Sequence, residues 1–211
     1  MKTQQQISIL LSLNIAGSVG LMIWWVMFPV LLPIADASQN FQEMILHSNW
    51  TVINLVGLLS AIMLCLGLPG IFLSQHLHFK MYGYLGLLLA CTGLILFTAI
   101  QYYETLIWPA AAKVNAELLQ SDGALVSGNS AVVAGLMVSG IVLGSGYVLF
   151  GISALKTRLF RKIAIWMLMI GATVFGNGIV FPVRTLGLIL FVSGTIWLSV
   201  KIRKNLTHQT L

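Results

Sequence analysis

The sequence predicts an all-α membrane protein, a bundle of six transmembrane helices, and three observations carry that expectation. Of 211 residues, 58% are hydrophobic and only 8% are charged, against about 25% charged in a soluble globular domain. The apolar residues fall into six long runs, and the charges sit almost entirely in the short segments between them. A water-soluble fold could not cover its surface with so few charges. Lipid can serve as solvent for an apolar exterior, provided that helices satisfy their own backbone hydrogen bonds.

A helix needs roughly 20 apolar residues to cross a bilayer core. The runs at 7–33, 51–73, 81–108, 131–155, 163–181 and 186–200 approach that length and leave a single membrane domain over 1–211. The first run follows Lys2 and ends near Ala35-Asp36-Ala37, which has the small-x-small form of a signal-peptidase site. A secretory apolar segment is usually about 7–15 residues, so this longer one is expected to stay in place as a helix. The fifth and sixth runs must form a hairpin. Its turn is expected at Pro182, Val183 and Arg184, because a turn at Gly176-Asn177-Gly178 would leave the fifth helix short.

The placement of charge then sets an orientation. With the N-terminus inside, Lys2, Lys80, Lys156, Arg158, Arg161, Lys162, Lys201, Arg203 and Lys204 share the inner side, and only Lys113 and Arg184 are outside. An excess of Lys and Arg in short loops marks the cytoplasmic face, so both termini are expected there. The five acids, Asp36, Glu43, Glu104, Glu117 and Asp122, all fall outside. Size and hydropathy match the small multi-spanning proteins of bacterial cytoplasmic membranes. The net charge of +6 therefore belongs to membrane orientation: the lipid bilayer is the expected partner, and no basic face suggests nucleic acid.

Two outer segments are long enough to have structure. Asn40 and Glu43 resemble a capping box, after which Phe41 and Ile45 would share one face of a short interfacial helix. Beyond Pro109, residues 110–120 favour a second helix, with Lys113 and Glu117 four apart and Ser121-Asp122-Gly123 as its stop. There is also a faint internal echo between the second–third and fourth–fifth hairpins, which open with Gly57, Gly67 and Gly70 in one and Gly135, Gly140 and Gly144 in the other. Glycine-rich helices align easily by chance, so duplication is the weaker explanation.

The residues able to carry function cluster toward the outer end. In the third helix Thr98, Gln101, Thr105 and Trp108 are spaced three, four and three apart, which places them on one face with Glu104 at its edge. At about 1.5 Å per residue, Glu104 lies roughly 33 Å from Tyr82, at the outer interface. Arg184 lies a similar distance from Lys162, so the two charges can meet at one depth, as an ion pair closing the outer end of the bundle, in simple contacts with water and lipid head groups, or as the lining of an outward-open pocket. Tyr103, Asn54 and Asn177 gather near the same depth, the amides being expected mainly to hydrogen-bond between helices. The candidate ligand-binding set is thus Glu104, Arg184, Gln101, Tyr103, Trp108, Asn54 and Asn177. Gly140, Gly144 and Gly151 mark one side of the fourth helix as a close-packing face at the bundle centre, with contact to a membrane protein partner as the lesser reading.

Some chemistries lack their residues. His47, His76, His78 and His208 fall in loops or the tail, so no helix offers haem ligands and no H-E-x-x-H metal motif exists. Cys65 and Cys91 lie within spans and form no C-x-x-C. No acid lies near the midplane for a proton or sodium relay. The expectation is a protein without catalytic residues, metal or cofactor, which binds or transports a small or lipidic ligand through its outer half. An accessory subunit working by helix packing is the alternative. A lipid-modifying enzyme with Glu104 as its only acid/base comes third.

Overall fold

Glycine decides how these helices meet. In an apolar medium no hydrophobic force drives helices together, so close backbone approach and dispersion contact must do it. The computed structural model describes residues 2–32, 41–74, 79–120, 123–157, 161–177 and 181–208. Pro33, the expected cleavage-like site at 35–37, Asn40, His76, His78, Ser121, Asp122 and Arg158 lie outside them.

The order of elements is α1 (Lys2–Leu31), α2 (Phe41–Leu46), α3 (Trp50–Leu73), α4 (Met81–Tyr102), α5 (Trp108–Val114), α6 (Ser130–Thr157), α7 (Lys162–Asn177) and α8 (Phe181–His208). A π-helical turn, Tyr103–Ile107, joins α4 to α5, and a 3-10 turn follows at Ala116–Leu119. No strand occurs among the described residues. The long helices pack as a ring, α1 on α3, α3 on α4, α4 on α6, α6 on α7, α7 on α8, and α8 back on α1.

Most of these seams are built on glycine. Between α1 and α3, a Cβ placed on Gly17 would lie 2.8 Å from the Ser60 carbonyl oxygen, and one on Gly70 would lie 2.7 Å from Leu10. Gly86, Gly93 and Gly146 bring α4 and α6 into backbone contact at Phe150, Leu143 and Ala90. Gly171, Gly187 and Gly194 do the same for α7 and α8. Gly140, Gly144 and Gly151 all face α7, against Gly176, Thr173 and Met169. The α3–α4 seam differs: Gly57 faces the Gln101 side chain, and the Cys65 and Cys91 thiols lie close to each other. The two hairpins that echo each other in sequence are therefore held by different contacts.

Outside the seams the surface is apolar, with Val26, Leu59, Leu88, Ile95, Ile141 and Ile163 exposed. Five helical segments, reaching to Leu31, Leu73, Val114, Thr157 and Leu206, are long and apolar enough to cross a membrane, and Lys162–Asn177 is an apolar but shorter helix. This is the exterior of a membrane protein.

Several expected boundaries move. The fifth helix ends at Asn177 and the sixth begins at Phe181, so Pro182 and Arg184 occupy the first turn of α8 instead of a hairpin turn. Proline is well suited there, because the first helical N–H groups have no intrahelical acceptor to lose. The last helix also runs on to His208, beyond the expected end at 200. The third helix continues through Pro109 to Val114 instead of stopping at 108. Pro109 cannot donate to the carbonyl of Thr105, and the chain opens a π turn at that point. The helix expected at 110–120 breaks at Asn115, whose side chain accepts a hydrogen bond from the Glu117 backbone N–H at 3.0 Å. Lys113 and Glu117 thus belong to different elements.

The seams make a direct prediction. Gly146→Ala meets the α4 backbone, whereas Gly135→Ala, on the same helix, meets nothing within 4 Å. Overpacking costs about 1–3 kcal/mol, so thermal unfolding in detergent should shift down for Gly146→Ala and stay unchanged or rise for Gly135→Ala.

Candidate ligand-binding site

The glycine contacts between α4 and α6 run from Gly83 beside Ser153 to Gly93 beside Leu143. Further along, residues of the same two helices line open space instead. Phe97, Ile100, Gln101 and Glu104 of α4 and its π turn face Val133, Leu136, Met137 and Gly140 of α6 across a cavity of about 650 Å³. The first turn of α8 contributes Phe181 and Arg184, α7 contributes Phe175 and Asn177, and α1 contributes Trp24, Trp25 and Phe28. Phe41 and Met44 of α2 reach it from the connecting segment. The short helix expected to lie at the interface instead packs inward, with Ile45 buried and Phe41 edge-on to Trp108 at 5.4 Å.

Aromatic rings form most of the wall and brace one another. Trp50 stacks on Trp108 with centroids 6.1 Å apart, Phe28 meets Trp50 edge-on at 5.6 Å, and Trp25 lies flat against Phe181 at 4.8 Å. Such pairs contribute about 0.5–1.5 kcal/mol each beyond area burial. Several of their polar atoms are tied down too. Trp50 Nε1 donates to the Glu104 backbone carbonyl at 2.9 Å, and Trp25 Nε1 donates to Thr185 Oγ1 at 2.8 Å. Asn54 accepts from Trp24 Nε1 at 3.3 Å and donates to the Trp50 carbonyl at 3.0 Å.

Charged groups meet this apolar shell at one place. Gln101, only 2% exposed, donates from Nε2 to Glu104 Oε2 at 3.3 Å. The other Glu104 oxygen takes no hydrogen bond from the described residues. Arg184 places its guanidinium 5.5 Å from the Trp25 ring centroid and 5.2 Å from that of Phe175. These cation–π contacts are worth roughly 0.5–2 kcal/mol each. Glu104 and Arg184 attract each other across the space, yet they form no direct ion pair. An ion pair closing the bundle, one of the arrangements expected, is absent from the described residues.

Three buried polar atoms along this wall have no partner among the described residues: Gln101 Oε1, Trp108 Nε1 and Arg184 Nε. An unpaired buried group costs about 1–3 kcal/mol. Gln101 Oε1 is turned toward Gly57 and Trp24, while Trp108 Nε1 and Arg184 Nε are two unpaired donors on residues that line the cavity; a polar ligand or ordered water would satisfy such groups.

Of the residues singled out in the sequence, Glu104, Arg184, Gln101, Trp108 and Asn177 line the cavity. Asn54 stands behind the wall and holds Trp24, while Tyr103 packs on the Trp108 ring at 6.2 Å. Asn177 also ties helices together, donating to the Gly140 carbonyl at 3.1 Å. Thr105 is buried and donates to the Gln101 carbonyl. Sequence reasoning missed Trp24, Trp25, Phe28, Trp50, Phe97 and Phe175 as a shared wall. Their only signal was aromatic spacing, Trp24 with Phe28 four apart, which an interfacial belt or a helix core explains equally well.

The chain matches no protein-family model, no curated protein and no solved structure. The site therefore has to be read from its own chemistry.

The floor of the cavity can be tested without touching its charges. A Cβ on Gly57 would come within 2.6 Å of Gln101 Oε1 and 2.9 Å of the Trp24 ring. Gly57→Ala should push both aside, shifting tryptophan emission and lowering stability by about 1–3 kcal/mol. An unchanged emission spectrum would mean that Gln101 and Trp24 are not held as described.

Proposed function

We propose that the protein crosses a bacterial cytoplasmic membrane six times with both ends inside, and binds or transports a small amphipathic ligand through its outer half. The observation that carries the binding reading is Arg184, a cation set in an aromatic wall with no carboxylate or carbonyl accepting from it among the described residues. An ionisable group at membrane depth is expensive and normally faces a partner or a water-filled cavity. Here it faces a cavity large enough for a small molecule.

The six-span count draws support from the ring. Lys162–Asn177 has 16 residues, or roughly 24 Å of helix, short of a core about 30 Å thick. It nevertheless runs antiparallel along α8, from Gly194 beside Leu168 to Gly187 beside Phe175, so it shares the orientation of the bundle. Its early end leaves Gly176 and Asn177 on the cavity wall. Inside orientation of both termini rests on the concentration of Lys and Arg at the opposite end of the bundle.

The accessory-subunit reading loses its main support, because Gly140, Gly144 and Gly151 are taken up by α7. The enzyme reading has one carboxylate and no second acid/base among the described lining residues.

Two measurements check the proposal. In a background lacking Cys65 and Cys91, a cysteine replacing Asn129 should react with an impermeant maleimide on intact cells, and one replacing Asn205 only after permeabilisation. The reverse pattern would invert the orientation. Organic extracts of purified protein should contain a specific amphiphile, depleted at least tenfold in Arg184→Met. Because a buried cation without an acceptor is a stability cost, that variant should unfold at the same or a higher temperature. Equal ligand content with lowered stability would make Arg184 a structural residue.

A further inference from the structure

The walls of the cavity are charged in both signs, and that restricts what fits. A purely anionic ligand would gain at Arg184 and lose at Glu104, and a purely cationic one would do the reverse. A neutral ligand would leave both charges without a partner in an apolar enclosure. Only a molecule bearing both signs gains at both places.

The unpaired atoms narrow the class further. On the α8 wall the donor is Arg184, whose Nε is buried without an acceptor among the described residues; Trp108 Nε1 is a second unpaired donor, on the same helical face as Gln101. They suit a phosphate or carboxylate, and a planar guanidinium suits either anion. On the α4 wall the acceptor is the free oxygen of Glu104; Gln101 Oε1, buried without a donor among the described residues, is turned toward Gly57. The Glu104 oxygen needs N–H groups. A primary ammonium supplies three, whereas a quaternary ammonium supplies none and would leave that oxygen as it is.

The route in points to the source. Leu136, Met137 and Ile141 line the cavity and are also on the surface, with Met137 56% and Ile141 59% exposed. They belong to the part of α6 beyond its last glycine contact with α4 at Leu143. The opening between α4 and α6 is thus edged with apolar side chains, as a lateral entrance from a bilayer would be.

We infer that the cavity recognises a zwitterionic head group with a primary ammonium and a phosphate, on a lipid whose acyl chains lie in the gap between α4 and α6. The ammonium sits with Glu104, beside Gln101, and the phosphate with Arg184. This inference rests on the cavity being a ligand site, as proposed above.

The full-length protein in detergent micelles, titrated and followed by tryptophan fluorescence or native mass spectrometry, separates the outcomes. The probes are phosphatidylethanolamine, phosphatidylcholine and phosphatidylglycerol of identical acyl chains, with soluble phosphoethanolamine as a fourth. Phosphatidylethanolamine should bind at least tenfold tighter than the other two lipids. Glu104→Gln should erase that preference, and Arg184→Gln should weaken all binding. Equal affinity for phosphatidylglycerol would overturn the zwitterion assignment while leaving the ligand site intact, as would equal affinity for phosphatidylcholine for the primary ammonium. Tight binding of phosphoethanolamine without preference for the lipid would keep the head-group chemistry and overturn the lipid source. Failure of every probe, together with no Arg184-dependent amphiphile in extracts, would overturn the ligand site itself.

Discussion

Everything in this bundle depends on glycines letting helix backbones touch. Gly86, Gly93 and Gly146 set α4 against α6, and Gly171 and Gly187 set α7 against α8. Where a side chain would hold two helices apart, these positions let them share a long line of dispersion contact, the main attraction available in an apolar medium. The same seams fix what happens where they stop. Beyond Gly93 and Leu143, toward Glu104, the two helices part, and the volume between them is filled only partly, by aromatic rings.

That parting is where polarity enters. The π turn at Tyr103–Ile107 sits beside the cavity and carries Glu104. Such turns recur at functional sites because they redirect side chains within an otherwise regular helix. Across the gap Pro182 starts α8 and Arg184 falls in its first turn, where it lies against Trp25 and Phe175. Two prolines, Pro109 and Pro182, thus flank the charges on both walls. The structure tolerates this arrangement because the rings that surround Arg184 offset part of its desolvation, while tight packing elsewhere supplies the remaining stability.

The broad fold was legible because hydropathy and charge placement report on solvent directly. The apolar, helical nature of the chain and the approximate spans needed no tertiary information. The finer boundaries did need it. Pro182 reads as a turn residue in isolation, yet it serves as a helix start once Gly187 docks on α7. Pro109 reads as a stop, yet a π turn carries the helix through it. At the site, the polar stripe Gln101, Glu104 and Trp108 was visible because helical periodicity places it. The aromatic wall was not, since Trp24, Trp50 and Phe175 come from three helices and no local pattern distinguishes a cavity wall from a core. That Glu104 and Arg184 face a common space without pairing is likewise a property of the bundle alone.

The most direct test is an experimental structure of the protein in a lipid nanodisc. The account predicts an open gap between α4 and α6 with elongated density inside it, its head end between Arg184 and Glu104 and its tails along Leu136, Met137 and Ile141. A collapsed cavity, with the rings closed together and Arg184 bonded directly to Glu104, would contradict it.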